Sequence, residues 1–213
     1  MQTDPLSLIF EVAILILSVI IHEVAHGYAA NSLGDPTAKL SGRLTLNPIR
    51  HIDLVGSILV PVFLVLTNAG ILFGWAKPVP YNPFNLRNQR WGEAIVAGAG
   101  PFTNLFLALV FGLVVRFGAA TLPAPFIAIT TIAAFANLFL GLFNLIPLPP
   151  LDGYTVLRGV LPYRVSITLR SFEDSIRAGG ITSLILILVV FSFFFAGPFS
   201  ALVNYLFRLL IGG

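Results

Sequence analysis

Six stretches of this chain are almost wholly apolar: residues 6–21, 54–73, 94–115, 126–145, 181–196 and 199–211. Most approach the length that crosses a hydrocarbon core, about 20 residues, and the last two are short. With 57% hydrophobic and 10% charged residues and a mean hydropathy of +0.94, the chain lies far from the make-up of a soluble domain. It reads as an integral membrane protein. The first run is expected to stay in the mature chain, because no basic residue precedes it and it leads into His-Glu rather than a small-residue cleavage site. No cysteine is present, which excludes disulfides and thiolate metal ligands. The net charge of +3 comes from residues between the apolar runs. That pattern fits membrane orientation better than nucleic-acid binding.

The first apolar run ends in VIIHEVAHGYAA, residues 19–30, which puts His22, Glu23 and His26 where ionisable groups are least welcome. Residues four apart share a helix face, so both imidazoles can reach one ion while Glu23 points to a neighbouring direction. This is the HExxH arrangement, whose usual metal is zinc and whose Glu serves as general base toward water. The plainer alternative has each imidazole hydrogen-bonded inside a bundle. The setting weighs against it, since ionisable groups at membrane depth are costly and usually functional.

A catalytic zinc needs three protein ligands and one open position. Asp152 is the best candidate for the third. It sits in NLIPLPPLDGYT, residues 144–155, directly after the fourth apolar run. Pro147, Pro149 and Pro150 break the helix there, and Gly153 permits a tight backbone path that can turn a carboxylate inward. An aspartate in this place can also simply cap the next helix.

Taken together, HEVAH at 22–26, GPFTN at 100–104, NLIPLPPLDG at 144–153 and FGWAKPVPYNP at 73–83 resemble the site-2 protease family of intramembrane zinc metalloproteases. The resemblance implies one Zn2+ ion bound by His22, His26 and Asp152, with Glu23 as catalytic base. It also implies a catalytic, substrate-supporting role for Asn144, the Asn of an NxxPxxxLDG motif. Asn104 is a candidate substrate contact on the same grounds, with an interhelical hydrogen bond as the alternative. The implied reaction is peptide-bond hydrolysis in the transmembrane segments of membrane proteins, in a bacterial or archaeal cell membrane. The linkers are too short for a PDZ or CBS insertion, so the chain resembles the minimal members. Residues 1–213 are expected to form one domain, with a catalytic core at about 5–160 and C-terminal helices at about 164–213.

Two rivals come from other classes. A metal transporter would need further ligands along a path, and Glu11 and Asp53 are isolated. An inactive scaffold would have no use for an intact His22, Glu23, His26 and Asp152. A prenyl-protein type of metalloprotease would supply a downstream Glu, and Glu173 follows no matching motif.

For His22 and Asp152 to meet, the first and fourth runs must leave the membrane on one side. A full crossing by 54–73 would prevent this, so that run is expected to dip in and return, with Pro61, Asn68 and Gly70 as places for the break. Lys39, Arg43, Arg50, Lys77, Arg87, Arg90, Arg158, Arg164, Arg170 and Arg177 then share one side: ten of the twelve basic residues. Arg116 lies opposite and Arg208 is unassigned. The positive-inside rule makes that side cytoplasmic.

SGRLTLNP, residues 41–48, alternates as a short strand does, and the proline-rich WAKPVPYNP fits only a sheet edge or a packed loop. Val165, Leu169, Phe172 and Ile176 recur at helical spacing on a segment suited to the membrane surface. Residues 199–211 either span or lie flat, and His51 is expected to be a partly exposed structural residue. The expected fold is thus an all-α membrane protein, a polytopic transmembrane helix bundle with a small re-entrant and β-edge segment.

Overall fold

The computed structural model describes residues 5–66 and 76–213. The apolar runs become helices: α1 Pro5–Ser32, α3 Val60–Leu66, α4 Gly92–Gly118, α5 Ala124–Asn144, α8 Gly180–Phe194 and α9 Ala196–Ile211. Between them lie α2 Thr37–Leu40, α6 Asp152–Val160 and α7 Tyr163–Ala178. Among the described residues, three helices are long and apolar enough to cross a membrane, over Ile9–Ser32, Gly92–Gly118 and Ala124–Asn144. At 1.5 Å per residue, α4 alone extends about 40 Å, beyond the roughly 30 Å of a hydrocarbon core. Leu15, Ile16 and Leu17 of α1 and Phe102 and Phe106 of α4 are exposed, as lipid-facing side chains are. The chain is an integral membrane protein.

α4 is the spine of the bundle, packing against α1, α5, α6 and α9. Its buried face is built from small residues, Gly92, Ala94, Ala97, Gly98, Gly100, Ala108 and Gly112 among them. Without a hydrophobic force between helices in lipid, close backbone approach is what holds them. On α5, a Cβ at Gly141 would stand 2.8 Å from Leu105 Cγ of α4 and 3.0 Å from Pro101 O. α9 lies along α5: Phe199 meets Phe139 with ring centroids 5.4 Å apart, and Phe207 meets Phe135 at 5.2 Å. The 199–211 run therefore packs lengthwise on the bundle rather than flat beside it.

The contacts fix the helix directions. Ser18 and His22 of α1 meet Asn104 of α4, whereas His26 meets Val96, so α1 and α4 are antiparallel. Asn137 of α5 meets Asn104 and Gly141 meets Pro101, so α5 is antiparallel to α4 and runs with α1. The 22-to-32 end of α1 and the C-terminus of α5 thus share one end of the bundle. The connection from α1 to α4 starts and finishes there too, since Arg87 N donates to Leu33 O at 2.8 Å. That connection makes no net crossing, as a re-entrant 54–73 requires. A π-helical turn, Leu54–Leu59, and α3 form its first part, with Pro61 inside α3. Residues 67–73, with Asn68 and Gly70, lie outside the described residues.

Two expectations for the linker are corrected. Among the described residues there is no strand, so the β-edge reading of 41–48 and of 76–83, the described part of 75–83, gives way to a packed loop. The reason is that side chains take the backbone groups a ladder would need. Arg43 Nη1 donates to Arg50 O and its Nη2 to Lys77 O at 2.7 Å and Pro78 O at 3.3 Å. His51 is buried, at 2% exposure, not partly exposed. Its Nε2 pairs with Thr45 O at 2.8 Å, and its carbonyl accepts from Lys77 N at 2.9 Å.

α7 forms where the periodicity places it, and Val165 and Phe172 of its apolar stripe remain exposed. Glu173, which is not one of the stripe residues, is buried against the bundle. Arg158 of α6 draws it in, with Nε 3.6 Å from Glu173 Oε2, while Arg158 Nη1 reaches Glu93 Oε2 of α4 at 2.8 Å.

Candidate metal centre

α1 continues unbroken through HEVAHG, so His22 and His26 stand one turn apart with ring centroids 4.6 Å from each other. α4 can lie against them because residue 100 is glycine. A Cβ there would stand 2.5 Å from His26 Nε2 and 2.7 Å from His22 Cε1. Asp152 arrives from the other end of the chain as the first residue of α6. Gly153 is buried against the backbone of Leu145 and Ile146, leaving no room for a Cβ. Asp152 Oδ2 lies 3.0 Å from His22 Nε2 and 3.3 Å from His26 Nε2.

Each imidazole is held from behind by its other nitrogen. His22 Nδ1 is 2.6 Å from Asn104 Oδ1, and His26 Nδ1 is 2.7 Å from Val96 O. Both partners are oxygens, so Nδ1 carries the hydrogen on each ring and Nε2 is left to face Asp152. A neutral imidazole has no second hydrogen to offer the carboxylate. A cation among the two Nε2 atoms and Oδ2 fits this arrangement, and the three ligand atoms lie within 4.8 Å of one another. Two imidazoles and one carboxylate form a hard-to-borderline donor set suited to zinc.

The remaining sequence candidates are placed as follows. Glu23 is turned toward the 76–83 loop, where its Oε2 accepts from Val79 N at 2.8 Å. Asn104 is fully buried, with its amide nitrogen 2.8 Å from Asn137 Oδ1 and 3.3 Å from Ser18 O, so both its ends meet protein. Asn144 closes α5, half-buried, and its Nδ2 donates to Leu140 O at 3.0 Å. The structure thus brings His22, His26 and Asp152 together with Asn104 behind them. Glu23 and Asn144 make their contacts to either side.

Sequence reasoning missed Ser18, Asn137, Val79 N and Val96 O. A lone amide midway through an apolar run was the available signal for Asn137, because a polar side chain at that depth demands a partner. The two backbone groups leave no mark in a residue pattern.

A helix bearing HExxH, joined by a carboxylate from elsewhere, defines the zinc metallopeptidase class. Comparison with known proteins narrows this. The model of Peptidase family M50 matches residues 114–189, the part that carries Asp152. A Bacillus subtilis protein named "Putative zinc metalloprotease YwhC" is 42% identical over 178 residues, 80% of this chain and 78% of the relative. "Putative zinc metalloprotease Rip2" of Mycolicibacterium smegmatis is 33% identical over 67% of this chain and 53% of its own length. "Putative zinc metalloprotease Rip3" of Mycobacterium tuberculosis is 39% identical over 48% of this chain and 26% of its own length. No solved structure gives a significant match. The chain belongs to peptidase family M50, the site-2 protease family, and is a zinc metallopeptidase.

Proposed function

We propose that this chain hydrolyses peptide bonds within or beside the transmembrane segments of other membrane proteins, acting as a single domain. His22, His26 and Asp152 hold one zinc ion, Glu23 is the general base and Asn144 supports the substrate. Zinc in that position supplies Lewis acidity, lowering the pKa of water toward about 7 and polarising a carbonyl. Glu23 accepts the proton of the attacking water and passes it to the leaving amine. Val79 N holds one carboxylate oxygen of Glu23, leaving the other to move the proton. The Asn144 amide keeps a second hydrogen beyond the one given to Leu140 O, available to an oxygen that gains charge. Asn104 acts on His22 rather than on substrate, as its buried contacts support.

A helical substrate hides its carbonyls in hydrogen bonds and must unwind locally before it is cut. The site faces the cytoplasm by the positive-inside rule. Because the chain has no cysteine, single cysteines at Gln89 and Thr121 report sidedness: maleimide should reach the first only from the cytoplasmic face and the second only from outside.

The observation that carries this reading is the approach of Asp152 to two imidazoles 130 and 126 positions earlier in the chain. The test incubates purified protein in detergent with a single-span membrane protein and compares Glu23→Gln. The variant should keep its zinc and lose roughly 10²–10⁴-fold in rate. Equal product from both forms overturns the mechanism.

A further inference from the structure

Ser18 on α1, Asn104 on α4 and Asn137 on α5 are buried to 3%, 0% and 2% exposure within the apolar bundle. A primary amide has one end that only donates and one that only accepts, so its direction can be read from unambiguous partners. Asn137 Nδ2 lies 2.9 Å from Ala133 O, a carbonyl that can only accept, and 2.9 Å from Ser18 Oγ. Asn137 Oδ1 therefore faces Asn104, which donates to it through Nδ2 at 2.8 Å and to Ser18 O at 3.3 Å. Asn104 Oδ1 is then the atom presented to His22 Nδ1, 2.6 Å away.

His26 needs no such device, because its Nδ1 faces a backbone carbonyl, Val96 O. The oxygen behind His22 belongs to an amide that could turn round. We infer that Asn137 is a positioning residue that, together with the carbonyl of Ser18, fixes the direction of the Asn104 amide, and through it the Nδ1–H tautomer and ring plane of His22. This rests on the reading of His22 as a metal ligand. The outer partner of a ligating imidazole typically changes metal affinity 10–100-fold when removed; Asn137 stands one hydrogen bond further out and, at 2.8 Å against 3.3 Å for Ser18 O, is the nearer of the two acceptors that hold the Asn104 amide in this direction.

The test uses the full chain in detergent. Zinc affinity is measured by competition with a chromogenic chelator, and the zinc-free protein, labelled with 15N-histidine, is read by NMR. Only three histidines contribute, so His22→Ala assigns the His22 signals. Asn137→Leu should weaken zinc binding about 10-fold or more and raise the Nε2–H form of His22. Ser18→Ala, which keeps Ala133 O as an anchor, should shift both less. Unchanged affinity and unchanged His22 resonances in Asn137→Leu overturn the inference, or in Ser18→Ala should the former not fold. Weaker zinc binding with unchanged His22 resonances overturns it too, since general loosening of the bundle would do the same. If His22→Ala binds zinc as tightly as the parent, the ligand reading is what fails. The resonances of the zinc-free protein still decide whether Asn137 sets the ring.

Discussion

The backbone N–H of Val79 donates to Glu23 Oε2 at 2.8 Å. Val79 stands between Pro78 and Pro80, which have no N–H, so this is the one backbone donor of the three residues, and it meets the carboxylate beside the two imidazoles. The loop can approach because α1 has glycine at 27: a Cβ there would stand 2.8 Å from Val79 Cγ1. Val79→Pro removes the donor, whereas Val79→Ala keeps it. A hydrogen bond to a charged group contributes about 1.5–3 kcal/mol, so Val79→Pro should lower kcat by roughly 10–100-fold. Zinc content should stay at the parental level, and Val79→Ala should lose much less. Parental turnover in Val79→Pro would show that Glu23 needs no such hold.

Gly100 is the point where α4 passes His22 and His26. Gly100→Ala places a methyl 2.5 Å from His26 Nε2 and 2.7 Å from His22 Cε1, so rings or helix must shift. Zinc affinity should fall at least about tenfold, in line with the sensitivity of metal sites to ligand orientation. Gly98→Ala, two residues away, has as its nearest neighbours Phe102 at 3.3 Å and Val156 at 3.8 Å. It should bind zinc as the parent does, which chelator competition on both variants would establish.

Asp35 joins the end of α1 to the loop that carries Val79. Its buried carboxylate accepts from Thr37 Oγ1 at 2.6 Å, Asn82 N at 2.7 Å, Asn85 Nδ2 at 2.9 Å and Thr37 N at 3.2 Å. Burial pushes this carboxyl up, but the hydrogen bonds from Thr37, Asn85 and Asn82 outweigh it and hold it below its ordinary 3.8. A depressed folded-state value stabilises the protein above the ordinary pKa, and the contribution is lost as pH falls through the folded value. Melting temperature should therefore drop as the medium is acidified below the ordinary value, and Asp35→Asn should flatten that part of the profile. A variant with an unchanged acid limb would remove Asp35 from the account.

Arg158 and Arg170 both reach Glu93, from very different surroundings. Arg158 is buried between Glu93 and Glu173, whereas the Arg170 side chain is 49% exposed and 2.6 Å from Glu93 Oε1. Arg158→Ala removes a buried cation from between Glu93 and Glu173 and should cost about 3–5 kcal/mol. Arg170→Ala should cost about 1 kcal/mol or less. Thermal denaturation of the two variants compares them directly, and similar losses would refute this ranking.

The helices were legible because membrane spans are written locally. Residues 94–115 and 126–145 became Gly92–Gly118 and Ala124–Asn144, since hydropathy sets both the start and the end of such a run. His22, Glu23 and His26 were legible because a single helix fixes their relation. The meeting with Asp152 was legible through the topology it demands, and α1 and α5 do end together. What was illegible depends on groups from distant segments. Arg43 takes the carbonyls at 50, 77 and 78 that would otherwise have suited a strand. His51 is buried because Thr45 and Lys77 fold over it. The path from Ala133 through Asn137 and Asn104 to His22 crosses three helices, and its polarity resides in amide orientations that residue letters do not encode.

Asp152 stands 130 residues downstream of His22, and this separation bears on how such a molecule is made. During synthesis the HEVAH helix enters the bilayer while the segment beginning at Asp152 has yet to leave the ribosome. The half-finished polypeptide carries both imidazoles without their carboxylate, and so lacks the third ligand of the proposed site while it sits among other newly inserting chains. On the proposed assignment of His22, His26 and Asp152 as metal ligands, hydrolytic competence begins only when α6 docks, and completion of the bundle is its own safeguard against premature cleavage of neighbours.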